Sequence, residues 1–342
     1  MTRNIIGATL AVALLAGTVS AQQILINGTG ASFPYPMYSK WFDAYHKKTS
    51  NIAINYTSTG SGAGVQQVTA GTVDFGASDP PMSDDEMKAF QAKNGFPVIN
   101  FPTVLGANVP AYKLAGITAP LNFTGEVLAG IFLGKITKWN DPMLVKDNPG
   151  VKLPDASIVV VHRSDGSGTT FVWTDFLSKS SAEFKSKIGT AKSVNFPVGL
   201  GAKGSEGEAG QIQSTANSLG YVELTYALQN KMQYGKVKNP EGAFVLADLT
   251  GITAAAAGAA KEIKDDFRVS ITNASGKTAY PISTFTYLLI PQKIKDPAKQ
   301  KAITDFLKWM LTEGQTQTEA LSYAPLPKAI VDKEMKAIAK IQ

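Results

Sequence analysis

The sequence predicts an α/β protein of two lobes, each a mixed, mostly parallel sheet flanked by helices, with a ligand cleft between them. Three observations predict it. The chain has 342 residues, the length of two ordinary domains, each large enough to bury its own core. Segments with the period of strands alternate with segments with the period of helices, joined by short glycine-rich turns, the pattern of parallel sheets covered on both faces. Two apolar runs, Phe101 to Val109 and Tyr280 to Ile290, are long enough to cross between lobes. The first lobe is therefore expected to be discontinuous, residues 22–103 and 284–342, with 104–283 forming the second.

In chain order, Arg3 precedes an apolar run from Ile5 to Leu15, and Gly17 to Ala21 (GTVSA) places small residues where a signal peptidase reads. The run is shorter than the roughly 20 apolar residues that span a bilayer. Residues 1–21 are thus expected to be a signal peptide cleaved after Ala21, leaving Gln22 as the first residue. The chain has no cysteine, which excludes a lipid anchor on cysteine, a disulfide framework and thiolate metal sites. Export without oxidative folding fits the periplasm of a two-membrane bacterium. The formal charge of +6 falls to +5 with the loss of Arg3, the one charged side chain in residues 1–21. The lysines are scattered and not interleaved with aromatics, so nucleic acid is not an expected partner. A modest positive field does help gather a small anion.

Ile24 to Asn27 reads as a strand. Tyr38, Trp41, Phe42 and Tyr45 follow at the i, i+3, i+4, i+7 spacing of a helix, with Pro34 and Pro36 tolerated in its first turn. Ile52, Ile54 and Tyr56 alternate as a strand, Val65 to Ala70 reads as a helix after a glycine turn, and Val73 to Ala77 as the next strand, completing a strand-helix-strand unit. Ser83 and Glu86 have capping-box spacing and start a helix. In the second lobe Ile158 to His162 and Ser218 to Glu223 read as strands, and the alanine-rich stretch Thr253 to Ala260 as a helix.

Three segments share one design: a strand ends, a short polar or glycine-rich turn follows, and a helix begins with unpaired N–H groups pointing outward. Such helix starts attract anions. They are Thr29-Gly30-Ala31-Ser32-Phe33, Gly60-Ser61-Gly62-Ala63-Gly64, and Arg163-Ser164-Asp165-Gly166-Ser167-Gly168-Thr169-Thr170. One such turn is usually only a helix start. Three of them at the carboxyl ends of strands in facing lobes would converge on one cleft.

Arg163 can give an oxyanion a charge-assisted, bidentate hydrogen bond, and Asp165 two residues on can hold its guanidinium. Asp79 tells more about the ligand. A carboxylate in an anion site repels its ligand unless the ligand carries a proton to donate. Phosphate at neutral pH keeps one or two protons and sulfate keeps none, so an obligatory acceptor would reject sulfate by remaining buried and unpaired.

The chain resembles the periplasmic phosphate-binding proteins of high-affinity phosphate ABC importers, which are type II periplasmic binding proteins. The motifs that carry the resemblance are Gly28-Thr29-Gly30-Ala31-Ser32-Phe33-Pro34, Gly60 to Val65, Val73 to Asp79, Gly130 to Trp139, Arg163 to Thr169, and Gly220-Tyr221-Val222-Glu223. They run in family order over nearly all of the chain after the signal. The resemblance implies a hinge-closing, two-lobed monomer that binds inorganic phosphate through Ala31, Ser32, Phe33, Ser61, Asp79, Arg163, Ser167, Gly168 and Thr169. It also implies membrane permease subunits as partners, no cofactor and no catalysis. Ser32 stands where threonine is common and Ala63 interrupts a glycine pair, and neither change removes a donor. The match is less clear from Lys231 to Asp265.

Other readings are weaker. Gly199 to Gly204 spells GxGxxG with Glu223 about 20 residues on, but it follows no clear long strand, so a turn on a lobe surface is expected. A serine hydrolase or phosphatase would need Ser61 or Ser167 in GxSxG, and neither is. The two histidines, His46 on a solvated helix face and His162 ending a strand, form no cluster with metal or triad spacing. A receptor for sulfate or molybdate is the remaining competitor, and Asp79 stands against it.

Overall fold

The computed structural model describes residues 23–257 and 263–342. The expected signal peptide and its cleavage site lie outside the described residues, as do positions 258–260 of the expected alanine-rich helix. The strands are β1 (Ile24–Gly30), β2 (Ile52–Ser58), β3 (Phe75–Ser78), β4 (Val98–Lys113), β5 (Asn122–Phe123), β6 (Val159–Arg163), β7 (Leu200–Ala202), β8 (Ser218–Glu223), β9 (Gln233–Tyr234), β10 (Lys236–Lys238), β11 (Phe244–Val245) and β12 (Ser283–Pro291). The main sheet runs β2-β1-β3-β12-β4-β8-β6-β7, with β9 also paired to β4, and a small sheet runs β11-β10-β5.

The strand β4 joins the two halves. It pairs antiparallel with β12 from Val98 to Ala107 and then with β8 from Asn108 to Lys113. It is buried along almost its whole length, which is why it reads as a continuous apolar run and not as an alternation. Outside this antiparallel centre the pairing is parallel: β1 with β2 and β3 on one side, β6 with β7 and β8 on the other. The second long run begins at Ser283, later than Tyr280, because Pro281 has no N–H for the ladder.

The register of β12 against β4 shifts between Thr286 and Tyr287, which face Val104 and Pro102. Thr103 is the extra residue of this bulge. Bulges re-aim side chains, and here the Thr286 hydroxyl points at Asp79.

Helix Tyr35–Lys48 buries Tyr38, Trp41, Phe42 and Tyr45 as their spacing predicts. The Ser83 and Glu86 capping box forms with both reciprocal bonds. Helix Ser61–Ala70 begins four residues before the expected Val65, since a run of small residues that reads as loop is helical here. The alanine-rich helix likewise starts early, at Leu249, capped by Asp248. His46 departs from the expected solvated position: it is half-buried, and its Nδ1 lies 2.6 Å from the Ile52 carbonyl oxygen. No helix among the described residues is long and apolar enough to cross a membrane.

Candidate functional site

Each expected turn delivers its residues to one buried locus. The N–H of Ala31 donates to the Ala77 carbonyl at 3.0 Å and its carbonyl accepts the Tyr56 hydroxyl at 2.7 Å. Ala31 therefore ties the loop that leads from β1 into helix Tyr35–Lys48 to the end of β3, and its N–H is not free for the phosphate contact the resemblance implies, while the N–H groups of Ser32 and Phe33 have no acceptor among the described residues. The carbonyls of Ser32 and Phe33 are held by the hydroxyls of Tyr226 and Tyr323, both at 2.7 Å.

Gly60 precedes helix Ser61–Ala70 at φ 93°, a backbone state that suits glycine. A Cβ there would stand 2.3 Å from Asp165 Oδ2, so the bare glycine also admits the opposite lobe. Ser61 is fully buried, and its Oγ accepts the Asp79 N–H at 3.2 Å.

Asp79 leaves the end of β3 and is 1 % exposed. Its Oδ1 accepts the Thr286 hydroxyl at 3.0 Å, and its Oδ2 faces Gly168, 2.3 Å from where a Cβ would be. Burial pushes its carboxyl up to about 7, against the opposing bond from Thr286 and the charge of Arg163.

Arg163 ends β6 and is 5 % exposed. Its Nε and Nη2 donate to Asp165 Oδ1 and Oδ2 at 2.8 and 2.6 Å, so Asp165 holds the guanidinium as expected, and the bidentate face expected for the oxyanion is given to Asp165 instead, leaving Nη1 pointing inward. Burial opposes ionisation of Asp165, but the Arg163 guanidinium outweighs it and holds this carboxyl below the usual range. Ser167 caps helix Gly168–Ser180 through Thr170 N–H at 3.0 Å. The N–H groups of Gly168 and Thr169 find no acceptor among the described residues. Arg163 Nη1 lies 3.5 Å from the Thr169 hydroxyl.

Contacts across the two halves close the arrangement: Gly62 N–H donates to the Gly166 carbonyl at 2.7 Å, and Ser32 Oγ lies 2.8 Å from Ser205 Oγ. All nine sequence-predicted residues and Asp165 are thus gathered in one place. What they offer is a shell of N–H and O–H donors, one guanidinium held by Asp165, and the buried carboxyl of Asp79. Among the described residues no group of histidine and acidic side chains could hold a metal.

The sequence reading missed Ser205, and the reason is specific. The glycine-rich turn from Gly199 was expected on a lobe surface, yet it leads into helix Gly204–Ser214, whose first turn enters the site. Gly204 N–H donates to Asp165 Oδ1 at 3.1 Å, and Ser205 is fully buried. Also missed were Thr286, aimed by the bulge, and the buried acids Glu208 and Glu223. Nothing in sequence pattern marks a glutamate for burial.

A cleft of ≈ 590 Å³ opens beside the site, lined in part by Pro81, Ser83, Glu86, Phe171, Lys192 and Arg268.

Two α/β halves sharing a pair of central strands, with helix starts from both converging on a buried anion locus, define the class of periplasmic binding proteins. The family model described as PBP superfamily domain matches residues 16–313. A phosphate-binding protein PstS of Pasteurella multocida is 44% identical over 325 residues, covering 95% of this chain and 92% of that one. A phosphate-binding protein PstS of Xylella fastidiosa is 46% identical over 322 residues, covering 93% and 86%. Among solved structures, a high affinity periplasmic phosphate-binding protein bound with phosphate superposes with a TM-score of 0.73 at 21% identity, covering 92% of this chain and 93% of that one. The chain belongs to the PBP superfamily and, within it, to the family of PstS phosphate-binding proteins.

Proposed function

We propose that the protein binds inorganic phosphate in the periplasm as an exported monomer and delivers it to the permease subunits of an ABC importer. The observation that carries this reading is the buried carboxyl of Asp79, which feels the charge of Arg163 and sits within a shell of donors. An oxyanion held there accepts from Ser32, Phe33, Ser61, Arg163, Ser167, Gly168 and Thr169 and donates its one proton to Asp79. Ala31 contributes by fixing its loop. Phosphate can satisfy both demands and sulfate cannot.

The lobes are residues 22–103 with 284–342, and 104–283, hinged on β4 and β12. The exchange of β4 partners between Ala107 and Asn108 supports this division. Phosphate first meets the donors of one lobe, and closure adds those of the other, so binding selects the closed state. Each charge-assisted bond is worth roughly 1.5–3 kcal/mol, and closure, ligand ordering and dehydration oppose their sum. No catalysis accompanies binding. The imidazoles of His46 and His162 are bonded to the backbone carbonyls of Ile52 and Arg163 and to neither Ser61 nor Ser167.

Calorimetric titration of the dialysed protein, residues 22–342, tests the reading. Saturable heat with phosphate and none with sulfate is the expected result. Equal binding of the two would make this a general oxyanion receptor, and no heat with either would overturn the reading.

A further inference from the structure

The Ser205 hydroxyl touches no other polar group among the described residues than Ser32 and Arg163. Its Oγ lies 2.8 Å from Ser32 Oγ and accepts from Arg163 Nη1 at 3.4 Å, while its backbone N–H donates to Ser32 Oγ at 3.0 Å. It comes from a fourth helix start, 173 residues along the chain from Ser32.

A hydroxyl has one proton and two acceptor lone pairs, and a guanidinium can only donate. With one lone pair of Ser205 Oγ taken by Arg163, the protein acceptor within reach of its own proton is Ser32 Oγ. Ser32 Oγ then receives two bonds, from the N–H and the O–H of Ser205, which fill both of its lone pairs. Its own proton is left without a protein acceptor and points into the site.

From this we infer that Ser205 is a positioning residue that makes Ser32 an obligate donor, through the chain Arg163 Nη1–H to Ser205 Oγ–H to Ser32 Oγ–H to a ligand oxygen. The inference rests on the phosphate reading and adds a direction to it. A ligand oxygen at Ser32 must be unprotonated, so the one ligand proton the site accepts is confined to Asp79. Dibasic phosphate meets that demand. Monobasic phosphate brings a second proton for which Ser32, so fixed, has no lone pair.

The test is a double-mutant cycle on phosphate Kd with the unaltered protein, Ser205→Ala, Ser32→Ala and both together, at pH 6 and pH 8.5. Ser205→Ala is expected to weaken binding about tenfold, the weight of one hydrogen bond near a charge, and to add nothing once Ser32 is alanine. The loss should be larger at pH 8.5 than at pH 6, because a Ser32 hydroxyl released from Ser205 can turn and accept the second proton of monobasic phosphate. Should Ser205→Ala not fold, Ser205→Cys, similar in shape but a poor hydrogen-bond partner, is expected to show the same loss. An unchanged Kd overturns the inference, as does an equal loss in the Ser32→Ala background, which would mean that Ser205 touches the ligand itself. No phosphate heat from the unaltered protein would overturn the underlying reading, and this inference with it.

Discussion

Lys192 Nζ lies 2.5 Å from Glu86 Oε1, joining the two sides of the cleft at its mouth. Both partners are tied to the site. The Lys192 carbonyl accepts the N–H of Ser167 at 2.8 Å, and Glu86 belongs to the capping box that starts the helix after Asp79. The side chains are 15% and 30% exposed, so the pair is screened less than a surface pair. If the lobes close as proposed, the pair forms on closure and stabilises the closed state.

Lys192→Met removes that latch and leaves the Ser83–Glu86 cap intact. Phosphate affinity is expected to fall about fivefold, in line with roughly 1 kcal/mol for a partly exposed pair, chiefly through faster release seen in stopped-flow dissociation. An unchanged release rate would show that the pair follows closure without supporting it.

Gly168, like Gly60, is a point of close approach between the two halves. A Cβ there would stand 2.3 Å from Asp79 Oδ2 and 2.4 Å from Ser61 Oγ, a clash worth about 1–3 kcal/mol if the lobes still shut. Gly168→Ala is therefore expected to fold normally and bind phosphate roughly 10- to 100-fold more weakly. Small-angle scattering at saturating phosphate should show a less compact particle than the unaltered protein. Equal compaction and equal Kd would contradict the apposition.

Glu223 provides a pH signature. Its Oε2 accepts from Thr225 N–H at 2.9 Å and the Tyr323 hydroxyl at 3.2 Å, and its Oε1 has no partner among the described residues. Burial pushes this carboxyl up to about 8. With the folded-state value raised above the ordinary one, the folded protein holds the proton more tightly. The resulting stability is fully present below pH 4.5 and is lost as pH rises through about 8. Between pH 5 and pH 9 the Tm of the ligand-free protein should fall more steeply than that of Glu223→Gln. Parallel profiles would contradict a buried, proton-holding Glu223.

How much of this was legible in the sequence follows from what each feature depends on. Strand β2 and the capping box were legible because alternation or a four-residue motif suffices to specify them. The Arg163 and Asp165 pair was legible because its partners are two residues apart, although its bidentate geometry was not. The start of helix Ser61–Ala70 was not, since Ser61 to Gly64 lacks the apolar period that marks a helix. Ser205 and Thr286 were invisible for a different reason. Their partners Ser32 and Asp79 lie 173 and 207 residues away, and only the fold brings them together. For the same reason the GxGxxG turn read as surface, although four residues of chain carry it from exposed Gly201 to buried Ser205.

Whether the ligand donates its proton to Asp79 is tested by Asp79→Asn, which replaces an acceptor-only carboxylate with a carboxamide that also donates. Titrated with phosphate and with sulfate at pH 8, where the unaltered carboxyl is mostly ionised, the variant is expected to lose phosphate affinity by about 10- to 100-fold, the weight of one bond to a charged group, and to gain measurable sulfate binding. Undiminished rejection of sulfate by the variant would contradict the account, because discrimination would then lie elsewhere than in the proton that Asp79 receives.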